Sequence, residues 1–261
     1  TLQLLTAGKL IDSNQRWIGG RSLLVIVGDS IDEGPKSIEV LDLWAALSTQ
    51  AKAAGGLVIP LLGNHEAEFL ADPSGDSKAQ ALRDELKQLN IPITDLTDPS
   101  TSRGSFIHGM PLAARVGSWL FCHAGLLPDI SWAQFGTQAA SVLGKSDYGN
   151  AFLLGPDSVL EAKDWWVDPA ARSAYEKRLA SISIFGVVQG HQPKAYNIPY
   201  DIGSLDGGHL IKIDNGMAPK SGSNPGHLLL FPNPSEMKKN VFPTVQSIAP
   251  NGGVKLVVPL N

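Results

Sequence analysis

The sequence predicts an α/β fold whose buried strands deliver polar residues at their carboxyl ends. Two short apolar runs, Leu23-Leu24-Val25-Ile26-Val27 and Leu57-Val58-Ile59-Pro60-Leu61-Leu62, each end in Gly and then in metal-competent side chains, Gly28-Asp29 and Gly63-Asn64-His65. Between them Val40, Leu43, Trp44, Leu47 and Ala51 recur at helical spacing before Gly55-Gly56, so the unit reads as a βαβ crossover. The same device returns at Ser118-Trp119-Leu120-Phe121-Cys122, ending in His123-Ala124-Gly125, and at residues 184–188, ending in Gln189-Gly190-His191.

In chain order, residues 1–8 read as the end of a helix stopped by Gly8, with a loop through Asp12 to Gly20. The strand over 22–27 and the helix over 37–54 follow, then the strand over 57–62 and a polar helix near 77–89. Residues 91–115 show no regular period. The stretch 129–182, with Trp132, Phe135, Tyr148, Phe152, Trp165, Trp166 and Tyr175, reads as a mainly helical insertion packing over the site, whose aromatics serve the core. Leu210-Ile211-Lys212-Ile213, residues 227–231 and residues 254–258 read as strands of a second, more antiparallel sheet. No internal repeat or low-complexity linker interrupts residues 1–261, so one domain is expected.

Composition narrows the function classes. The 261 residues are 43% hydrophobic, ample for a packed core. A formal charge of -4 with scattered Lys and Arg argues against a nucleic-acid surface, so a polyanion would have to be held locally, by metal. The single cysteine, Cys122, excludes an internal disulfide and a multi-Cys zinc site but leaves the compartment open. No apolar run approaches the roughly 20 residues of a membrane span, and no signal peptide is read.

If the four strands are neighbours in one sheet, Asp29, Asn64, His123 and His191 converge on its carboxyl edge. A carboxylate, an amide oxygen and two imidazoles suit a divalent Mn, Zn or Fe better than Ca or Cu(I). The second oxygen of Asp29 is free to bridge a second ion, and metal pairs about 3.5–4 Å apart activate water against phosphorus. His65, beside Asn64, is placed to protonate a leaving oxygen, with Asp32 fixing its ring. Each residue alone has a plainer reading: Asp29 as a cap or turn residue, Asn64 as a turn former, His123 and His191 as core histidines. Recurrence at four strand ends favours the joint reading.

Gly28-Asp29-x-x-Asp32-x-Gly34, Gly63-Asn64-His65-Glu66, His123-Ala124-Gly125 and Gly190-His191 resemble, in order and spacing, the motifs of the calcineurin-like metallophosphoesterases, closest to the phosphoprotein phosphatase branch and its bacterial, Shewanella-like members. Leu10-Ile11-Asp12, Trp17-Ile18-Gly19-Gly20 and Ile213-Asp214-Asn215-Gly216-Met217 are similar to the same branch. The resemblance implies a four-layered α/β/β/α sandwich with two mixed sheets and the metal site at the strand carboxyl ends. It also implies two divalent ions (Mn, Fe or Zn), with Asp29 bridging, Asn64, His123 and His191 on the second, and His65 paired with Asp32. The implied activity is hydrolysis of phosphomonoesters, on a phosphorylated small molecule or a phosphoprotein. A phosphodiesterase or nucleotide hydrolase, and a non-catalytic binding protein on the same scaffold, are the alternatives.

The chain departs from the pattern in three places. The Asp-x-His of the family's first strand does not occur upstream of Asp29, which leaves one metal site incomplete in residues 1–261. A chain that opens in mid-helix is expected to have that strand before residue 1. Glu33 stands where the family usually has a phosphate-binding Arg, and His108-Gly109-Met110 replaces an Arg-x-Arg. Losing Arg forks should weaken binding of a dianionic monoester more than of a monoanionic diester. Arg103, Arg115 and Lys194 are the candidates to replace them, and Arg103 is carried forward as the substrate-binding candidate. His108 reads as a surface-loop residue.

Overall fold

A computed structural model describes residues 1–75, 79–219, 222–232, 234–237 and 243–258. The chain opens with helix α1 (Leu2–Ala7), then strand β1 (Leu23–Ile26), helix α2 (Ser37–Ala53) and strand β2 (Leu57–Pro60). β1 and β2 pair in parallel, Leu23 opposite Leu57, so Gly28 and Gly63 leave the pair at nearly the same height. α2 buries Ile38, Leu41, Trp44, Leu47 and Ala51, and Val40 and Leu43 stay partly buried beside this stripe. Its first N–H groups, on Ser37 and Ile38, are accepted at 2.6 and 3.0 Å by the buried Glu85 carboxylate, which suits the positive end of the helix.

Four helices follow: α3 (Asn64–Ala71), α4 (Gln80–Gln88), α5 (Thr94–Thr97) and α6 (Ser102–His108). The first three residues of the expected helix near 77–89 include positions outside the described residues. Strands β3 (Ala113–Val116) and β4 (Trp119–Cys122) form a hairpin. The 129–182 stretch contains α7 (Trp132–Gly144), α8 (Ala151–Leu154) and α9 (Pro169–Ser181). The strands that follow among the described residues are β5 (Gly186–Gln189), β6 (Gly203–Leu205), β7 (Leu210–Lys212), β8 (Leu228–Leu230), β9 (Val245–Ile248) and β10 (Val254–Val258).

Three hydrophobic clusters separate four layers. Between α1–α2 and the β1–β2 pair lie Leu5, Trp44, Leu47, Leu24 and Val58. Between the two strand layers lie Leu61, Val245 and Val257 on one side and Trp119, Phe121, Val188 and Ile211 on the other. Beyond the second layer, Leu120, Cys122, Val187 and Leu210 meet helical residues such as Phe69, Leu82, Phe135 and Leu179. The alternation of β4, Trp119 and Phe121 one way and Leu120 and Cys122 the other, is the pleat that produces two cores from one strand.

The inner sheet is five-stranded and mixed, in the order β3-β4-β5-β7-β6. The facing layer is mixed as well: its described strands form a parallel pair, β1-β2, and an antiparallel triplet, β10-β9-β8. The four site-bearing strands are therefore not neighbours in one sheet. β1 and β2 belong to one layer and β4 and β5 to the other, and their carboxyl ends meet across the seam between layers. Residues 210–213 also move from the expected antiparallel sheet to the inner one, where β7 runs parallel to β5 with Val187 opposite Leu210.

Candidate metal centre

The site is built where β1, β2, β4 and β5 end. Gly28 has φ +93°, and a Cβ there would lie 2.6 Å from His123 Nδ1 and 2.7 Å from the Gly63 Cα, so only glycine lets the two loops approach. Asp29 follows in the left-handed region, at φ 52°. Its position is fixed by Glu66, a fully buried carboxylate in the first turn of α3. Glu66 Oε2 accepts from Gly63 N (2.7 Å) and Asp29 N (3.1 Å), and Oε1 from Ser30 N (2.6 Å) and Ile31 N (3.2 Å). Burial and the Asp29 charge push the Glu66 pKa up, while the Gly63 N–H pulls it down. Donors on both oxygens leave no acceptor for a carboxyl proton, so Glu66 acts as a carboxylate.

Four acceptor atoms converge. His123 Nε2 lies 2.9 Å from Asn64 Oδ1, 3.1 Å from His191 Nδ1 and 3.2 Å from Asp29 Oδ2, and His191 Nδ1 lies 3.2 Å from Asn64 Oδ1. His123 Nδ1 donates to the Val27 carbonyl at 2.7 Å, which leaves Nε2 of the neutral ring as a lone pair. Lone pairs this close repel unless something positive sits among them. A divalent cation with mixed nitrogen and oxygen preference fits this donor set, and the His123–Val27 bond is the support a ligating imidazole needs. His191 Nε2, buried and without a hydrogen-bond partner among the described residues, is consistent with Nδ1 facing the cluster.

Burial disfavours charge on His123, yet the Asp29 carboxylate, with the Val27 carbonyl and Glu66, outweighs it and raises the pKa. Asp29 is driven upward by burial, and His123, His65 and His191 together outweigh it, leaving it well below the usual carboxylate range. His191 is lowered to about 3 by burial first and then by the charge on His123.

His65 stands beside this cluster. Its Nδ1 is 3.1 Å from Asp32 Oδ2 and its Nε2 3.9 Å from Asp29 Oδ2. Asp32, itself at φ 76°, accepts from Ala81 N at 3.0 Å, and its own N–H donates to Ser37 Oγ at 3.1 Å. Burial works against a charged His65, but the Asp32 bond and the Asp29 field prevail and raise its pKa to about 9. A cation at the cluster would pull that value down again by like-charge repulsion.

Asp29, Asp32, Asn64, His65, His123 and His191 therefore lie together, whereas Arg103 does not join them. Arg103 makes a fork to Asp42 (2.7 and 2.8 Å) and a third bond to Asp95 (2.7 Å), bracing α2 against the α5–α6 segment. Both carboxylates hold its pKa above the ordinary arginine value. Arg115 is likewise taken by the carbonyls of Gly117, Ile182 and Ser183. Lys194 lies over the Tyr200 ring, 5.5 Å from its centroid. His108 is not a surface-loop residue: it closes α6, with Nε2 at 3.1 Å from Thr97 O and Nδ1 at 2.9 Å from Tyr148 Oη. Cys122 is fully buried, and burial pushes its thiol up to about 12.

Sequence reasoning assigned no role to Glu66, although its place three residues after Gly63 is the capping-box position that could have revealed it. It placed the 129–182 insertion over the site without naming the contacts that residues 164 and 165 make there. Trp165 Nε1 donates to Ala124 O at 2.9 Å, and Asp164 and Gln192 exchange two bonds of 3.2 Å, so this segment is fastened directly after both cluster histidines. No short-range signal marks such a contact.

The chain is similar to known proteins along its length. It is 42% identical over 57 residues to Shewanella-like protein phosphatase 2 of Arabidopsis thaliana, covering 22% of this chain and 15% of that protein. It is 30% identical over 144 residues to a symmetrical bis(5'-nucleosyl)-tetraphosphatase of Janthinobacterium sp. (strain Marseille), covering 54% of this chain and 44% of that one. Matched stretches thus span less than half of either relative. In fold it matches the crystal structure of a cold-active protein-tyrosine phosphatase of a psychrophilic Shewanella species, with TM-score 0.77 and 22% identity over 98% of this chain and 75% of that one. The family model for calcineurin-like phosphoesterases matches residues 4–215, a stretch that contains every residue of the cluster. With most of its length accounted for by that one model, the chain belongs to the calcineurin-like phosphoesterase family.

Proposed function

We propose that this chain is a metal-dependent phosphoesterase that hydrolyses phosphomonoesters. The observation that supports the reading is the convergence of Asp29 Oδ2, Asn64 Oδ1, His123 Nε2 and His191 Nδ1, four potential metal ligands joined by separations of 2.9–3.2 Å. These residues would hold one divalent ion (Mn, Fe or Zn), and Asp29 would share a second. Bound there, the ions supply Lewis-acid charge and an acidified water. The protein's own part is proton transfer and orientation. His65 Nε2 is the atom from which the leaving-group oxygen takes its proton, and Asp32 fixes the ring by its bond to Nδ1. The Glu66 carboxylate holds the 29–31 and 63 backbones so that the ligand atoms keep their separations.

A second reading, a nucleotide or phosphodiester hydrolase, is favoured by Glu33 standing in place of an Arg and by Arg103 being taken up by Asp42 and Asp95. The tetraphosphatase relatives point the same way.

Metal content measured alongside hydrolysis of an aryl phosphomonoester, an aryl phosphodiester and a dinucleoside tetraphosphate tests both readings. Monoester turnover with divalent ion bound is expected. His65→Ala should lower kcat on the order of 10²-fold with metal content unchanged. Absence of turnover on all three esters in the metal-loaded protein would remove the enzymatic reading, and turnover only on the latter two would select the second.

A further inference from the structure

We propose that Lys212 is the positioning residue for the candidate metal ligand His191: its buried ammonium ties the chain just after His191 to strand β7 and so holds the imidazole at the cluster. The inference rests on the metal centre of the phosphoesterase reading.

His191 lacks the support that His123 has. A ligating imidazole is ordinarily oriented through its second nitrogen, and for His123 the Val27 carbonyl does this at 2.7 Å. His191 Nε2 is buried with no hydrogen-bond partner among the described residues, so the direction of its ring depends on its backbone. That backbone is in the left-handed region, φ 68°, and Tyr196, Asn197 and Tyr200 in the turn that follows have φ of 63°, 57° and 59°. Such a turn keeps its shape only where contacts from outside determine it.

Lys212 supplies two of them. Its Nζ donates to Pro193 O at 2.8 Å and to Ile198 O at 2.5 Å, so one ammonium closes the 193–198 turn across both ends. Tyr200 N donates to the same Pro193 carbonyl at 2.8 Å. On the other side of His191, Lys212 is the ladder partner of Gln189, and Ile213 N donates to Gln189 O at 2.8 Å. His191 is thus the middle of the span 189–193, whose two ends are both referred to Lys212, Gln189 through the parallel ladder and Pro193 through the ammonium. The other fastening just after His191, the pair of 3.2 Å bonds between Asp164 and Gln192, is longer and exposed. Core packing alone does not call for this residue. A fully buried ammonium bonded to two carbonyls carries a desolvation cost that a methionine of similar length would avoid.

The test is manganese affinity by calorimetry for wild type, Lys212→Met, His191→Ala and the double variant. Arg103→Ala is the control, because it loses ion pairs away from the cluster. Lys212→Met is expected to weaken manganese binding about tenfold to a hundredfold, and to change it less than about threefold when His191 is already Ala. Arg103→Ala should leave the affinity within about twofold of wild type. Lys212→Gln, which keeps N–H donors on a shorter stem, should fall between wild type and Lys212→Met, and it takes the place of the methionine variant if that one does not fold. Where His191→Ala binds too weakly to measure, the comparison with Arg103→Ala decides. Hydrolysis of an aryl phosphomonoester is read on the same samples. If wild type binds manganese and hydrolyses no ester, the phosphoesterase reading fails, while the affinity series still supports or overturns the role of Lys212. Affinity within about threefold of wild type in Lys212→Met or its substitute, the same loss with and without His191, a matching loss in Arg103→Ala, or no manganese binding by wild type overturns it.

Discussion

Replacing Glu66 by Gln is the sharpest test of how the metal centre is held. The substitution keeps the volume of a fully buried side chain and exchanges one acceptor oxygen for a donor NH2. Whichever way the amide turns, two backbone N–H groups lose their acceptor, either those of Ser30 and Ile31 or those of Gly63 and Asp29. A hydrogen bond to a charged acceptor contributes about 1.5–3 kcal/mol, so two of them come to about 3–6 kcal/mol. Removing a carboxylate that burial and Asp29 both disfavour returns part of this, and the expected net loss is about 3 kcal/mol. For a chain of this size that corresponds to a Tm lower by roughly 6–12 °C. The assay is thermal and urea unfolding of chelator-treated protein, so that metal binding does not enter the equilibrium. A loss below about 1 kcal/mol would refute the assignment of Glu66 as the clamp between the two loops.

Three further outcomes follow from the geometry. Asp29→Asn should leave the chain less than half loaded at a metal concentration that saturates wild type, as read by elemental analysis, and full occupancy would contradict its shared-ligand role. Arg103→Ala should cost about 1–2 kcal/mol in urea unfolding by freeing Asp42 and Asp95, and an unchanged midpoint would return Arg103 to consideration as a substrate contact. Lys212 is fully buried, and desolvation lowers its pKa to about 8 against 10.5 in the unfolded chain. The unfolded state thus binds more protons between those values, and stability must rise with pH through that window. The stability of wild type relative to Lys212→Met should therefore rise by about 1 kcal/mol between pH 7 and pH 9, and a flat difference would show that the amine stays charged in the fold.

What was legible in the sequence was what repeats locally. The apolar runs at β1, β2, β4 and β5 and the stripe of α2 have periods that a short window can read, and their polar ends name Asp29, Asn64, His123 and His191. What was not legible depends on partners far away. β7 reads as one more strand of an antiparallel sheet until Val187 is seen opposite Leu210, and no property of residues 210–213 records that pairing. Arg103 reads as a free cation because Asp42 lies 61 positions earlier. The elements α5, β6 and β9 span three or four residues each, too short for a period, and depend on packing for their conformation. Glu66 is the instructive case. Its spacing from Gly63 was visible, but the donors that make it a clamp, on Asp29, Ser30 and Ile31, come from another loop.

Three residues at or beside the ligand candidates are held in the left-handed region. Asp29, Asp32 and His191 have φ of 52°, 76° and 68°, a region that costs a side-chain-bearing residue on the order of 1 kcal/mol each. Each is held by contacts from elsewhere: Asp29 by Glu66, Asp32 by Ser37 and Ala81, and the segment around His191 by Asp164 and by the bond from Gly190 N to His123 O. Relaxing Asp29 or His191 would turn its side chain away from the common centre and relieve the repulsion between lone pairs about 3 Å apart. The fold instead fixes both the unfavourable backbone and the unfavourable proximity. Packing alone gains nothing from that combination, whereas a bound cation reverses its sign, because the same four atoms then attract one charge and the preformed geometry spares the cost of ordering them on binding. The residues that hold the ligands are for this reason as much a part of the proposed centre as the ligands themselves.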